Sequence, residues 1–348
     1  MINYTISRIQ AADEAAMQAA WNRWDSIAKP LRSLGRLEEA VVRIAGMKRT
    51  DRVELGRKAL VVMCADNGVV EEGVSQTGSE VTAIVAENFL DGKCSAAIMA
   101  NQLGVTMYPL DVGMRVSTRV PRCKTAAGTR NIRRGPAMRR RQAEETMEAA
   151  LRLVMDLKCR GYGIITTGEM GIGNTTTSAA VASVLLGLAP EEVTGRGAGL
   201  DSAGLARKIQ VIKDAIAVNQ PNPEDPMDVL AKIGGFDIVG LTGVFLAAAA
   251  EGIPAVIDGF ISGTAALAAV RMEPKVRDYL IASHVSKEPG HALILEALGL
   301  KPFLTCDMCL GEGTGALAAL PLLDLALGVY DGMSTFEEIQ VEPYRPLE

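Results

Sequence analysis

Six short apolar runs, at residues 59–64, 105–110, 163–167, 254–257, 279–282 and 302–305, each close on a polar or glycine-rich corner. The corners are Asp66-Asn67-Gly68, Asp111, a glycine-rich loop after Thr167, Asp258-Gly259, Ser283-His284 and the neighbourhood of Asp307. Segments of helical character separate them, notably 80–90, 95–103, 138–157, 201–216, 239–250 and 264–270. Apolar strands alternating with helices predict an α/β chain with an open parallel sheet flanked by helices, Rossmann-like in plan. The ligand crevice of such a sheet lies at the carboxyl ends of the strands, where these corners meet.

Both chain ends read as helical. After a turn at KPLRSLG, Leu37, Val41, Ile44 and Met47 recur at near-helical spacing, and 315–327 reads as helix despite Pro321. Ser334 with Glu337 predicts a capping box opening a last short helix. In the helix after Asp201, a plausible N-cap, Leu205, Ile209, Ile212 and Ile216 form the expected apolar face.

The stretch GYGIITTGEMGIGNTTTSAA, 161–180, concentrates the chemistry. It reads as a strand, a tight loop carrying Gly168, Gly171 and Gly173, and a helix start at Asn174-Thr175-Thr176. Glycines bring backbone amides close to a ligand, and a helix start leaves N–H groups unpaired, so the segment suits a phosphate. An ordinary capped helix is the alternative. Glu169 is the anomaly, because a carboxylate beside an anion cradle repels the anion unless it is aimed elsewhere. The loop continues into Asn-Thr-Thr, without the lysine of a nucleoside-triphosphate loop, and its GxxGxG spacing is not the dinucleotide fingerprint. One terminal phosphate is the expected anion.

Other corners supply partners for that site. GRGAGLD, 195–201, leads into a helix on which Lys208 lies two turns beyond Asp201 and can reach an anion. SHVSKEPGH, 283–291, holds hydroxyls and the only two histidines, His284 and His291, which are as readily structural as functional. Glu312 stands between Gly311 and Gly313 ahead of a helix. It is the candidate general base, its pKa expected to be raised by Leu310 and Leu317; capping the following helix is its alternative role.

A net charge of −5 argues against a nucleic-acid binder. The nine basic residues of 119–142 lack interleaved aromatics and read as a solvated loop or a subunit contact. The longest apolar run, 238–250, is too short to span a bilayer, and MINYTISRIQAADEAAM has no apolar signal core, so a cytoplasmic location is expected. The six cysteines show no disulfide framework, and the lone Cys306/Cys309 pair is a weak zinc signal. Asp66, Asp111 and Asp258 would make a metal-dependent hydrolase only if they converged.

GEMGIGNTTTSAA, GRGAGLD, GGFDIVGLTG, IDGFISGTAAL, SHVSKEPGH and LGEGTGALAALPLLDLAL, joined upstream by SLGRLE, ADNGVVEEGVS and GTRNIRRGPAM, together resemble the nicotinate-nucleotide:dimethylbenzimidazole phosphoribosyltransferase family. The likeness runs in order from about residue 29 to 328. It implies transfer of the phosphoribosyl group of nicotinate mononucleotide to a lower-ligand base in cobamide assembly, with no cofactor or metal. It also implies a homodimer whose small helical domain, about 1–55 plus 329–348, joins a large α/β domain, about 56–328. Carried over, Glu312 is the general base, Glu169 the second functional carboxylate and Lys208 the functional lysine. Gly171, Gly173, Asn174, Thr175 and Thr176, with Ser286 and Gly290, are expected at the phosphate and ribose; Ser75, Ile84 and Leu310 are expected at the base.

Departures from the family pattern are Asn67, Gly78, Ile84, Cys309 and the Arg32-Ser33 pair. Ile84, where a polar residue is common, and Gly78 favour a more apolar or phenolic base over adenine. A non-catalytic homologue, or one needing a partner subunit, is the alternative from another class.

Overall fold

The computed structural model describes residues 1–344. Five parallel strands form one sheet: β1 (Arg57–Ala65), β2 (Thr106–Gly113), β3 (Tyr162–Met170), β4 (Ala255–Ile257) and β5 (Leu280–Ala282). Their order across the sheet is β2-β1-β3-β4-β5. The chain steps outward from β1 to β2 and then returns to β3 on the other side of β1. The winding therefore reverses there, which opens a crevice beyond the carboxyl ends of β1 and β3. The last seven residues of β1 are buried, as a central parallel strand covered on both faces requires.

Fourteen α-helices are described. The first three, α1 (Ile2–Arg8), α2 (Glu14–Ser26) and α3 (Arg36–Lys48), precede the sheet. Between β1 and β2 come α4 (Glu80–Asp91) and α5 (Ser95–Gln102), and α6 (Arg140–Cys159) leads to β3. From β3 to β4 the chain forms α7 (Asn174–Leu186), α8 (Pro190–Val193), α9 (Ser202–Asn219), α10 (Pro226–Ile233) and α11 (Phe236–Ala250). The last three are α12 (Phe260–Met272), α13 (Pro289–Ala297) and α14 (Thr314–Gly332). Right-handed crossovers in opposite directions put α4 and α5 on one face of the sheet and α6 on the other. Helix α11 packs on α6 and β1 and is buried at every position from Phe236 to Ala249, as its largely apolar sequence predicts, with Asp237 and Thr242 buried among the apolar residues.

The two chain ends meet. Trp24 of α2 stacks edge-on to Tyr330 of α14 with ring centroids 5.0 Å apart, and the Tyr330 hydroxyl donates to the Asp51 carbonyl at 2.9 Å. Beneath them Lys29 pairs with the buried Glu38 at 2.7 Å and lies over the Trp24 ring. Helix α14 carries this terminal cluster at one end and the crevice at the other. By length and composition it could cross a membrane, yet it packs on α3, α5 and β3, and Asp324 on it pairs with Lys58 of β1.

Some local expectations are revised. Strand β3 continues past Thr167, because Gly168 and Glu169 pair with Val62 and Met63 of β1; both belong to the strand rather than to the loop. The 302–305 run makes no strand, only a parallel bridge of Leu304 to His284, since nothing pairs with it farther along. The helix expected at 264–270 begins at Phe260. The reciprocal cap near the end is Thr335 with Glu338, one residue beyond Ser334 and Glu337, and closes a turn rather than a helix. On α9 the buried stripe is Gly204, Lys208, Val211, Ile212, Ala215 and Asn219, so the helix is rotated to put a lysine inward.

The basic segment folds onto the protein's own acids. Arg119 pairs with Glu87 and Asp91, Arg133 with Glu72 and Asp214, and Arg140 with Asp225. Its charge is thereby distributed into local ion pairs.

Candidate active site

At the winding reversal lies a cavity of about 260 Å³ whose wall includes Glu169, Gly171, Gly173, Asn174, Thr175 and Glu312. Ser75, Leu310 and Ser286 also line it. The turn into α7 explains how the wall forms. Gly173 takes φ 90°, and a Cβ there would stand 2.7 Å from Val70, so only glycine fits. No side chain caps α7; the Asn174 and Thr176 amides turn back to the Gly171 and Gly173 carbonyls at 3.0 Å, so the amides of Gly173 and Thr175 are the ones left to meet an anion.

Lys208 stands behind this wall. Its ammonium donates to the Thr175 hydroxyl at 2.9 Å and the Gly195 carbonyl at 3.1 Å. Burial pulls its pKa down to about 8, against the favourable charge of Glu288. Glu288 itself, missed from sequence although its SKEPGH segment was noted, ties the loops together. One of its oxygens accepts from the Gly197 amide at 2.9 Å, while the other is buried without a partner. Between Lys287 and Pro289 nothing marks this carboxylate, and the neighbouring hydroxyls offer a simpler phosphate reading.

Glu312 has φ 61° between Gly311 at 90° and Gly313 at 92°, three consecutive left-handed residues. A non-glycine residue held there signals a constrained position. Its carboxylate accepts from the Ala96 amide at 3.1 Å, and α5 has no side-chain cap of its own. Glu312 therefore caps a distant helix and not the one that follows it. That duty falls to Asp258, which accepts from Gly313, Gly315 and Ala316 at 3.2, 2.7 and 3.0 Å. Leu310 is 60% exposed and does not bury Glu312 as expected.

Glu169 is a buried acid on the same wall. Burial pushes its carboxyl up to about 8; the Asn174 amide opposes this, and the charges of Asp237 and Asp258 add to it. The Asn174 side chain, expected at the phosphate, instead donates to Glu169 and, at 2.9 Å, to Asp237.

Several expected contacts fall elsewhere. Thr176 is buried, its amide already bonded to the Gly173 carbonyl, and it does not line the cavity. Gly290 serves packing: a Cβ there would meet the Phe260 ring at 2.6 Å. Ile84 is 58% exposed and off the cavity wall of this chain, where Val85, one residue along α4, takes its place. His284 lines the cavity and bonds Ser283 at 3.0 Å. His291 is structural, its Nδ1 accepting from the Ser286 amide at 2.9 Å, with burial pulling its pKa down to about 3. Asp66 and Asp111 are engaged by the amides of Arg115 and Met114, each at 2.7 Å, and they form no metal-holding cluster with Asp258 among the described residues. Cys306 and Cys309 are exposed free thiols, Cys309 at the cavity rim.

Two substitutions check this construction. Asp258→Ala would orphan three amides at the start of α14 and should lower stability by about 2–4 kcal/mol, measured by urea unfolding. Gly168→Ala would put a Cβ 2.5 Å from the Glu312 carbonyl oxygen, backbone that cannot swing aside. It should cost about 1–3 kcal/mol of stability and reduce turnover at least tenfold, by displacing Glu312.

Fold and cavity together define an α/β enzyme that holds a phosphorylated small molecule beside two carboxyl groups. The profile of the family described as Phosphoribosyltransferase matches residues 9–341. The nicotinate-nucleotide–dimethylbenzimidazole phosphoribosyltransferase of Ruminiclostridium cellulolyticum is 48% identical over 346 residues, 99% of this chain and 98% of the relative. That of Acetivibrio thermocellus is 46% identical over 349 residues, covering 99% of both. The crystal structure of CobT from Thermus thermophilus superposes with a TM-score of 0.91 at 41% identity, over 95% of this chain and 100% of that one. The chain belongs to the nicotinate-nucleotide–dimethylbenzimidazole phosphoribosyltransferase family.

Proposed function

We propose that Glu312, Glu169 and Lys208 divide the work of phosphoribosyl transfer in this chain. The enzyme moves the 5-phosphoribosyl group of nicotinate mononucleotide to a benzimidazole-type base, releasing nicotinate and forming an α-ribazole 5'-phosphate-type nucleotide. The phosphate sits at the amino end of α7, with Lys208 behind it. A neutral ring nitrogen of the base attacks the anomeric carbon, and the base's N–H proton passes to Glu312. Nicotinate departs as its cationic ring nitrogen recovers the bonding pair. Placing the two rings on opposite sides of the ribose gives inversion from β to α and supplies much of the rate.

The observation that carries this reading is the strained Gly311-Glu312-Gly313 turn, which holds a carboxylate on the wall that also bears the α7 amino end. With Ile84 off that wall, its replacement gives no argument for a phenolic base. Turnover with 5,6-dimethylbenzimidazole, benzimidazole, adenine, phenol and p-cresol tests this. Benzimidazoles should be the preferred acceptors; a preference for p-cresol would overturn that choice.

The same reading takes the protein as a cytoplasmic homodimer without nucleic-acid or membrane partners. For the dimer alone, the support is an apolar surface, Ile84 and Leu90 of α4, Ile98 of α5 and Leu325 of α14, exposed on neighbouring helices. Sedimentation should give twice the mass of one chain.

A further inference from the structure

A carboxylate beside an anion cradle needs an explanation, and the residues behind Glu169 supply one. The two hydrogens of the Asn174 carboxamide are committed to two buried carboxyl groups, Glu169 on β3 and Asp237 in the first turn of α11. Asp237 is off the cavity wall, while Glu169 is on it. The two acids are not equivalent. Asp237 also accepts from the Ile238 amide at 3.0 Å and sits at a helix amino end, which favours negative charge. Glu169 meets the amino end of α7 only through the Asn174 side chain and faces the charge of Asp258 as well.

We propose that Asp237 is a positioning residue: it fixes the Asn174 amide against Glu169 and carries the negative charge of the pair, leaving Glu169 a neutral acid toward the anionic substrate. This rests on the reading of Glu169 as a functional group. The neutral carboxyl offers the bound mononucleotide a donor in place of a repelling charge. The directions of the two buried acids agree: burial raises both, Asp237 to about 6 and Glu169 to about 8. Other groups facing Glu169 are the Cys64 thiol from β1, Asp258 at the end of β4 and the backbone N–H of Glu312. Asn67 from the β1 corner faces Asp237, and Lys208 titrates on the other side of the same cradle.

The test is kcat/KM for nicotinate mononucleotide from pH 5.5 to 9.5 in wild type, Asp237→Asn, Glu169→Gln and the double variant. Asn at 237 keeps an oxygen for the Asn174 amide but removes the charge. Wild-type kcat/KM should fall as pH rises through about 8. In Asp237→Asn Glu169 should ionise nearer pH 6, giving about a tenfold loss at pH 7 and little at pH 5.5. Glu169→Gln should keep only the Lys208 limb, and adding Asp237→Asn to it should change nothing further. An unmoved limb in Asp237→Asn, or an equal loss in the Glu169→Gln background, overturns the proposal. A Glu169→Ala enzyme indistinguishable from wild type would instead remove the role of Glu169 itself. Should Asp237→Asn not fold, infrared difference spectra of wild type against Glu169→Gln at pH 7 decide. A protonated-carboxyl band supports the proposal, and carboxylate bands alone overturn it.

Discussion

Glu312→Gln is expected to lower kcat for base-dependent nicotinate release by roughly 10²- to 10⁴-fold, the usual contribution of a positioned general base. The change keeps side-chain volume and leaves an amide oxygen that can still accept from Ala96, so α5 keeps its cap. Mononucleotide binding should persist, because the proposed phosphate site is the amino end of α7 and not Glu312. The melting temperature should stay near that of the wild type. A variant that turned over normally would remove Glu312 from the chemistry and leave its strained turn with a purely structural cap.

Lys208→Met should act on the other end of the substrate. The thioether fills the same buried channel but removes the ammonium between Thr175, Gly195 and the site of the phosphate. KM for nicotinate mononucleotide should rise roughly tenfold, about 1.4 kcal/mol, because the ammonium acts on the phosphate from behind the wall, through Thr175. Free of substrate, the variant should be no less stable than the wild type at pH 7. The sign follows from burial: the folded-state pKa is about 8, lowered from 10.5, so charge on Lys208 opposes folding below pH 8. Wild-type stability relative to the variant should therefore rise between pH 8 and 10.5, where the folded state has released the proton and the unfolded state has not. Bound phosphate reverses the balance by giving the ammonium a counter-charge. Calorimetric melts across that pH range, with and without mononucleotide, check both parts.

The parallel sheet was legible because β1 and β3 are buried along most of their length, while the edge strand β2 is buried mainly toward its carboxyl end, so each still carries an apolar run. Where the pattern misled, tertiary context decided. On α9 the spacing of Leu205, Ile209, Ile212 and Ile216 points to one stripe, but a hydrogen-bonded lysine is buried more deeply than Leu205, Ile209 and Ile216. The 302–305 run has strand-like residues but pairs only once, and pairing across strands is invisible in a single segment.

Glycine flanks singled out Glu312 and the strand–loop–helix pattern singled out the start of α7, and both lie on the cavity wall. Asp237 and Glu288 escaped because each acts through a partner distant in sequence, Asn174 and Gly197 respectively. On α4, one residue of helix is about a hundred degrees of rotation, enough to exchange Ile84 for Val85 at the cavity.

The most direct measurement follows purified protein, nicotinate mononucleotide and 5,6-dimethylbenzimidazole by NMR, recording nicotinate and the anomeric configuration of the ribosyl product. One nicotinate released for each α-configured 5'-phosphoribosyl benzimidazole formed, with no release when the base is omitted, is the expected result. Nicotinate release with ribose 5-phosphate as the product, independent of the base, would contradict transfer and make the cavity that of a hydrolase.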